Sequence, residues 1–140
     1  MILSSKGRYA VMAMVEIAIQ DNLDLPVSLD RIAIKQNITL NYLEQIFMKL
    51  RKKGLVKSSK GPGGGYKLNK PSANISIANI VDAVEEPIKM VRCNNQPYSG
   101  CMPNGKRCVT HDLWDGLSKQ IFLYLNSISL EDVSNNAKSL

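Results

Sequence analysis

Residues 28–68 read SLDRIAIKQNITLNYLEQIFMKLRKKGLVKSSKGPGGGYKL: two short amphipathic runs, then two alternating runs around a glycine-rich tip. Ser28 is placed to cap a helix over Leu29–Gln36, with Ile32 and Ala33 facing inward. Asn37 and Ile38 make a tight turn, and Thr39 or Asn41 caps a longer helix running to about Lys53. With Asn41 as the cap, Glu44 takes the third helical position and completes a capping box. Gly54 supplies the left-handed stop. Leu43, Ile46, Phe47 and Leu50 give the longer helix one apolar face, leaving Asn41, Tyr42, Gln45, Lys49 and Lys52 on the other. Two short helices joined by such a turn form a helix-turn-helix, whose second helix enters the major groove when the module binds DNA.

Leu55–Ser58 and Gly65–Leu68 alternate apolar and polar residues, which predicts two strands joined through Lys60-Gly61-Pro62-Gly63-Gly64. That hairpin is a wing. A tip with so few side chains can bring its backbone close to a phosphate or into the minor groove, with Lys60 as the probe. Upstream, Ser4 or Ser5 caps a first helix of about 15 residues in which Tyr9, Ala10, Ala13, Met14 and Ile17 recur at helical spacing, and residues 21–26 form a polar break. Downstream, Ser76 caps a fourth helix with Ile77, Ile80, Val81 and Val84 on one stripe, closed by Pro87. Residues 88–107 show no periodicity, and a loop of that length needs a function or a restraint. Val109, Leu113, Leu117, Ile121, Leu125 and Ile128, joined by Trp114, Phe122 and Tyr124, predict one long helix over 109–127. It is apolar over more of its circumference than one small domain buries, so a homodimer through this helix is expected, matched to a pseudo-palindromic double-stranded DNA site.

The cationic surplus is local. Residues 1–70 hold 12 Lys or Arg against five Asp or Glu, whereas residues 71–140 hold six against seven, so the whole net charge of +6 belongs to the first half. Lys49, Arg51, Lys52, Lys53, Lys57 and Lys60 crowd six cations into 12 residues, more than complementing a helix dipole requires, and mark a phosphate-binding face. The candidate DNA contacts are Lys6, Arg8, Lys49, Arg51 and Lys52 toward phosphates, Thr39, Asn41, Tyr42, Glu44 and Gln45 near base edges, and Lys60, Gly61, Pro62 and Gly63 on the wing. Glu44 repels phosphate yet can accept from a cytosine amino group.

All three cysteines and the only histidine fall in one 19-residue window: Cys93, Cys101, Cys108 and His111. No apolar run approaches the roughly 20 residues that span a bilayer, and residues 1–8 lead into a helix without a signal-peptide cleavage site, so a cytosolic protein without membrane contact is expected. An odd number of thiols in a reducing compartment is poor material for disulfides and points to metal chemistry. Three thiols and one imidazole suit a tetrahedral zinc or an iron-sulfur cluster, and donor identity and spacing do not choose between them. Catalysis has little support: no nucleotide-binding glycine pattern follows a strand, no second histidine is present, and no small-molecule substrate is implied.

The segments Ser5-Lys6-Gly7-Arg8-Tyr9-Ala10-Val11, Tyr42-Leu43-Glu44-Gln45, residues 50–56, Gly61-Pro62-Gly63-Gly64-Gly65-Tyr66 and residues 108–114 closely resemble the IscR-like regulators of iron-sulfur cluster assembly, over essentially residues 1–136. The resemblance implies a mainly α fold with a small β-wing: a winged helix-turn-helix domain over 1–87 (helix-turn-helix about 28–53, wing 55–69), a cluster-binding loop over 88–108, a dimerisation helix over 109–128 and a tail over 129–140. It further implies a bacterial transcription regulator, repressor or activator, that senses cluster status through a labile 2Fe-2S cluster on Cys93, Cys101, Cys108 and His111 and controls cluster-assembly genes. The spacing departs from the pattern, with seven and six residues between the cysteines where IscR-like regulators usually have five and five. Loop insertions of that size change closure entropy little. The alternatives are a nitric-oxide-sensing or redox-sensing repressor of the same family and a zinc-stabilised repressor without sensing role. Nitric-oxide-sensitive members can take their fourth ligand from an acidic residue on the first helix, where this chain has Arg8.

Overall fold

Helix α1, Ser5–Asp21, buries Gly7, Ala10, Ala13, Met14, Ile17 and Ala18 in a computed structural model that describes residues 5–21, 25–84, 102 and 104–138. The small side chains on that stripe let other elements approach closely, and α1 packs on three of the later helices and on the second strand. Next come α2 (Leu29–Gln36) and α3 (Leu40–Lys52). Both end in the same way. Asn37 takes left-handed backbone at φ 54°, and the Asn37 and Ile38 amides donate to the Ile34 and Ala33 carbonyls. Gly54, at φ 77°, and Leu55 repeat the pattern on Arg51 and Leu50. Each pair satisfies carbonyls that a helix end would leave open, and each forces the chain to turn back.

The caps depart from expectation. Ser28 stands at the N-cap position of α2 in extended backbone, but its hydroxyl makes no capping bond. Thr39, not Asn41, caps α3, accepting from the Tyr42 amide at 3.2 Å. The capping box through Glu44 is therefore absent, because a cap two residues earlier moves Glu44 beyond the third helical position.

The wing is β1 (Val56–Ser59) paired antiparallel with β2 (Gly65–Leu68), in register from Val56 opposite Leu68 to Ser59 opposite Gly65. The first strand starts one residue later than predicted, since the Leu55 amide is spent closing α3. A contact invisible in the sequence anchors the wing. Val27 and Tyr66 exchange both amide-to-carbonyl bonds at 2.9 Å, so the chain before α2 runs as an extra edge beside β2. Gly65 makes this possible: its φ is 156°, and a Cβ there would overlap the Val27 carbonyl oxygen. Gly65→Ala is expected to cost about 2–4 kcal/mol from combined strain and lost pairing, read as a lower urea midpoint at unchanged slope. A loss below about 0.5 kcal/mol would show that the edge is not needed.

A 3-10 turn, Ser72–Asn74, leads to α4 (Ile77–Ala83), where Ser76 and Asn79 form a full capping box. The proline expected to close α4, Pro87, lies outside the described residues, as do Ser4, Cys93 and Cys101. Helix α5 spans His111–Ser127, two residues shorter at its start than expected, because the Val109-Thr110 pair forms the turn before it. The segment assigned to a tail over 129–140 holds a further helix, α6 (Leu130–Lys138). The Ser129 hydroxyl and the Asp132 carboxylate cap it reciprocally, each bond 3.0 Å long. Leu130 is fully buried, and α6 packs on α1. A clasp holds it there: the Ile77 amide donates to the Ile128 carbonyl at 3.0 Å and the Leu130 amide to the Ile75 carbonyl at 2.7 Å. The fold class is as expected, mainly helical with a two-stranded wing, and among the described residues no helix is long and apolar enough to cross a membrane.

Candidate nucleic-acid interface and metal-ligand pair

Burial of Leu43, Ile46, Phe47 and Leu50 fixes the rotation of α3, so Leu40, Asn41, Glu44, Gln45, Met48, Arg51 and Lys52 face outward. Two expected members of that face sit elsewhere. Tyr42 is half-buried, edge-on against Tyr9 with ring centroids 6.0 Å apart, and Lys49 is half-buried. The exposed face is thereby centred on Glu44, Met48 and Arg51. Thr39 is exposed, but its hydroxyl is committed to the cap. Leu40, Glu44, Met48 and Arg51, at successive turns, look across a groove of about 450 Å³ toward Ser28–Asp30 and Gly64–Tyr66.

The wing tip carries Lys60, Gly61, Pro62 and Gly63, all exposed. The Gly64 amide donates to the Gly61 carbonyl at 2.9 Å, and Gly63, at φ 73°, takes the position of a type II turn that demands glycine after proline. The result is a stretch of bare backbone beside one ammonium group, which suits a phosphate or the floor of a groove. Lys6 is half-buried and Arg8 exposed near the start of α1, the end of that helix whose Tyr9 meets Tyr42 of α3. Leu40 and Met48 join this face although both are apolar. The signal in the sequence is their spacing from Glu44, four residues either way.

Cys108 and His111 are the two candidate metal ligands among the described residues. The His111 amide donates to the Cys108 carbonyl at 3.1 Å, so one hydrogen-bonded turn separates thiol and imidazole, and His111 opens α5. Cys108 is half-buried with its sulfur 3.7 Å from the Thr110 hydroxyl, while His111 is only 2% exposed. A soft thiolate and an imidazole shielded from water fit iron or zinc alike. Among the described residues no group of three or more His, Cys, Asp or Glu could hold a metal ion, and Cys93 and Cys101 lie outside those residues.

A winged helix-turn-helix followed by a thiol-imidazole turn and a long helix matches a family model described as Rrf2, iron-dependent transcriptional regulator, over residues 3–136. The chain belongs to the Rrf2 family. It is 49% identical over 140 residues to the HTH-type transcriptional regulator IscR of Photorhabdus laumondii, covering all of this chain and 83% of that protein. Among solved structures, CymR, the global cysteine regulator of B. subtilis, superposes with a TM-score of 0.79 at 32% identity, over 97% of this chain and 98% of that one. T. potens IscR gives 0.77 at 33% identity, over 98% and 88%. As an Rrf2 protein the chain is a DNA-binding transcriptional regulator, not an enzyme.

Proposed function

We propose that this Rrf2 regulator controls iron-sulfur cluster assembly genes, acting as a homodimer whose DNA binding depends on a 2Fe-2S cluster held by Cys93, Cys101, Cys108 and His111. One observation carries the reading: Cys108 and His111 share the turn that starts α5, which exposes more large apolar side chains than any other helix among the described residues. Any change of state at those ligands acts directly on the start of that helix. Leu113, Leu117 and Tyr124, at i, i+4 and i+11, form its exposed stripe, suited to a second copy of the chain. The 49% identity to a protein named IscR supports the choice of cluster over zinc. The cluster would supply a redox-sensitive and exchangeable link among four residues. The chain's own part is to hold His111 buried and to pass the state of the loop into α5. In this arrangement Asn41, Glu44 and Gln45 approach base edges, Arg51 and Lys52 approach phosphates, and Lys60 with Gly61–Gly63 enters the flanking groove.

The test is anaerobic purification followed by the visible spectrum and iron and sulfide analysis. Two irons and two sulfides per chain are expected, and a colourless protein with one zinc would overturn the reading. His111 is the only nitrogen donor of the four and the most exchangeable. His111→Ala is expected to shorten the lifetime of the bound cluster in air by about tenfold or more, followed by loss of visible absorption. Equal lifetimes in the variant and the wild type would remove His111 from the ligand set.

A further inference from the structure

Met48 is 67% exposed on the outward face of α3, although the inward positions of that helix are filled by Leu43, Ile46, Phe47 and Leu50. It stands one turn after Glu44 and three residues before Arg51, inside the groove between α3 and the base of the wing. Packing of the protomer does not require an apolar side chain there, and an exposed thioether leaves apolar surface in water. The face around it is otherwise built for nucleic acid. In the major groove the thymine C5 methyl is the distinctive apolar feature of a base edge, and apolar side chains read it by contact. Methionine suits the task because its unbranched, polarizable chain adapts to the groove.

We infer that Met48 is a specificity-determining residue that packs on a thymine methyl group in each half-site, between the base edges near Glu44 and the phosphates near Arg51. This rests on the placement of α3 in the major groove. The full-length protein is used to select duplexes from a library with a randomised centre, and the selected site is remade with each thymine singly replaced by deoxyuridine, which lacks only the methyl group. One thymine per half-site is expected to matter, its replacement weakening wild-type binding about fourfold, the value of one buried methyl. Met48→Ser is expected to bind the thymine and uracil versions equally, with an unchanged salt slope because its phosphate contacts remain. The inference is overturned if the wild type is indifferent to every replacement, or if Met48→Ser keeps the same sensitivity, or if Leu40→Ser rather than Met48→Ser abolishes it. Failure of the helix placement looks different: Asn41→Ala and Gln45→Ala would then also leave affinity unchanged. Failure of the Met48 assignment alone leaves the losses in those two variants intact.

Discussion

Phe47→Ala is expected to cost the protomer about 3–5 kcal/mol, a large part of the stability of a domain this size. Phe47 is fully buried on the inner face of α3, and its ring lies 4.9 Å from that of Tyr66 at an interplanar angle of 57°. Tyr66 is also the residue paired with Val27, so one aromatic contact joins α3, the wing and the edge segment before α2. Truncation removes the buried ring and leaves a cavity that α3, held by its Schellman turn at Gly54, cannot close by shifting. Thermal unfolding should fall by roughly 10–20 °C. Phe47→Leu should lose much less, since it refills most of the volume. A loss below about 1 kcal/mol for the alanine variant would mean that α3 and the wing are held together without this ring.

The second large effect is expected from α5. Leu113 is 62% exposed and Tyr124 66%, with Leu117 between them on the same stripe, whereas only His111 and Ser118 of this helix are buried in the protomer. Leu113→Lys combined with Leu117→Lys places two charges on that stripe without touching the core. The protomer should keep its helical circular dichroism while sedimentation changes from dimer to monomer at micromolar concentration. Binding to a two-half-site duplex should drop about 10²–10⁴-fold, because the second half-site no longer benefits from high effective concentration. Binding to a single half-site should hardly change. A double variant that still sediments as a dimer would show that the copies meet elsewhere.

Much of the fold was legible because the chain uses strong local signals. The limits of α2 follow from its apolar period and Asn37, and the wing from Gly61-Pro62-Gly63-Gly64-Gly65 between alternating runs. What escaped was decided by tertiary contacts. Helix α6 has little apolar pattern beyond Leu130 and Val133, and its helicity comes from docking on α1 and from the Ser129–Asp132 cap. Helical spacing puts Tyr42 on the polar face, but the Tyr9 ring draws it toward the core. Thr39 and Asn41 were equal as caps in sequence, and only the path of the Asn37 turn separates them. In the candidate DNA face, charges were legible from composition, while exposed Met48 required knowing which side of α3 is buried. Of the four proposed ligands, Cys108 and His111 are placed, and Cys93 and Cys101 fall outside the described residues.

The packing of α6 on α1 bears on the order of events during synthesis. More than 100 residues separate the end of α1 at Asp21 from Leu130, so the first helix leaves the ribosome long before its last neighbour exists. Contacts of such sequence separation form late, and until then α1 lacks one of its packing neighbours. All four candidate ligands are translated within that interval. The donors thus exist before the helix that completes the packing around α1.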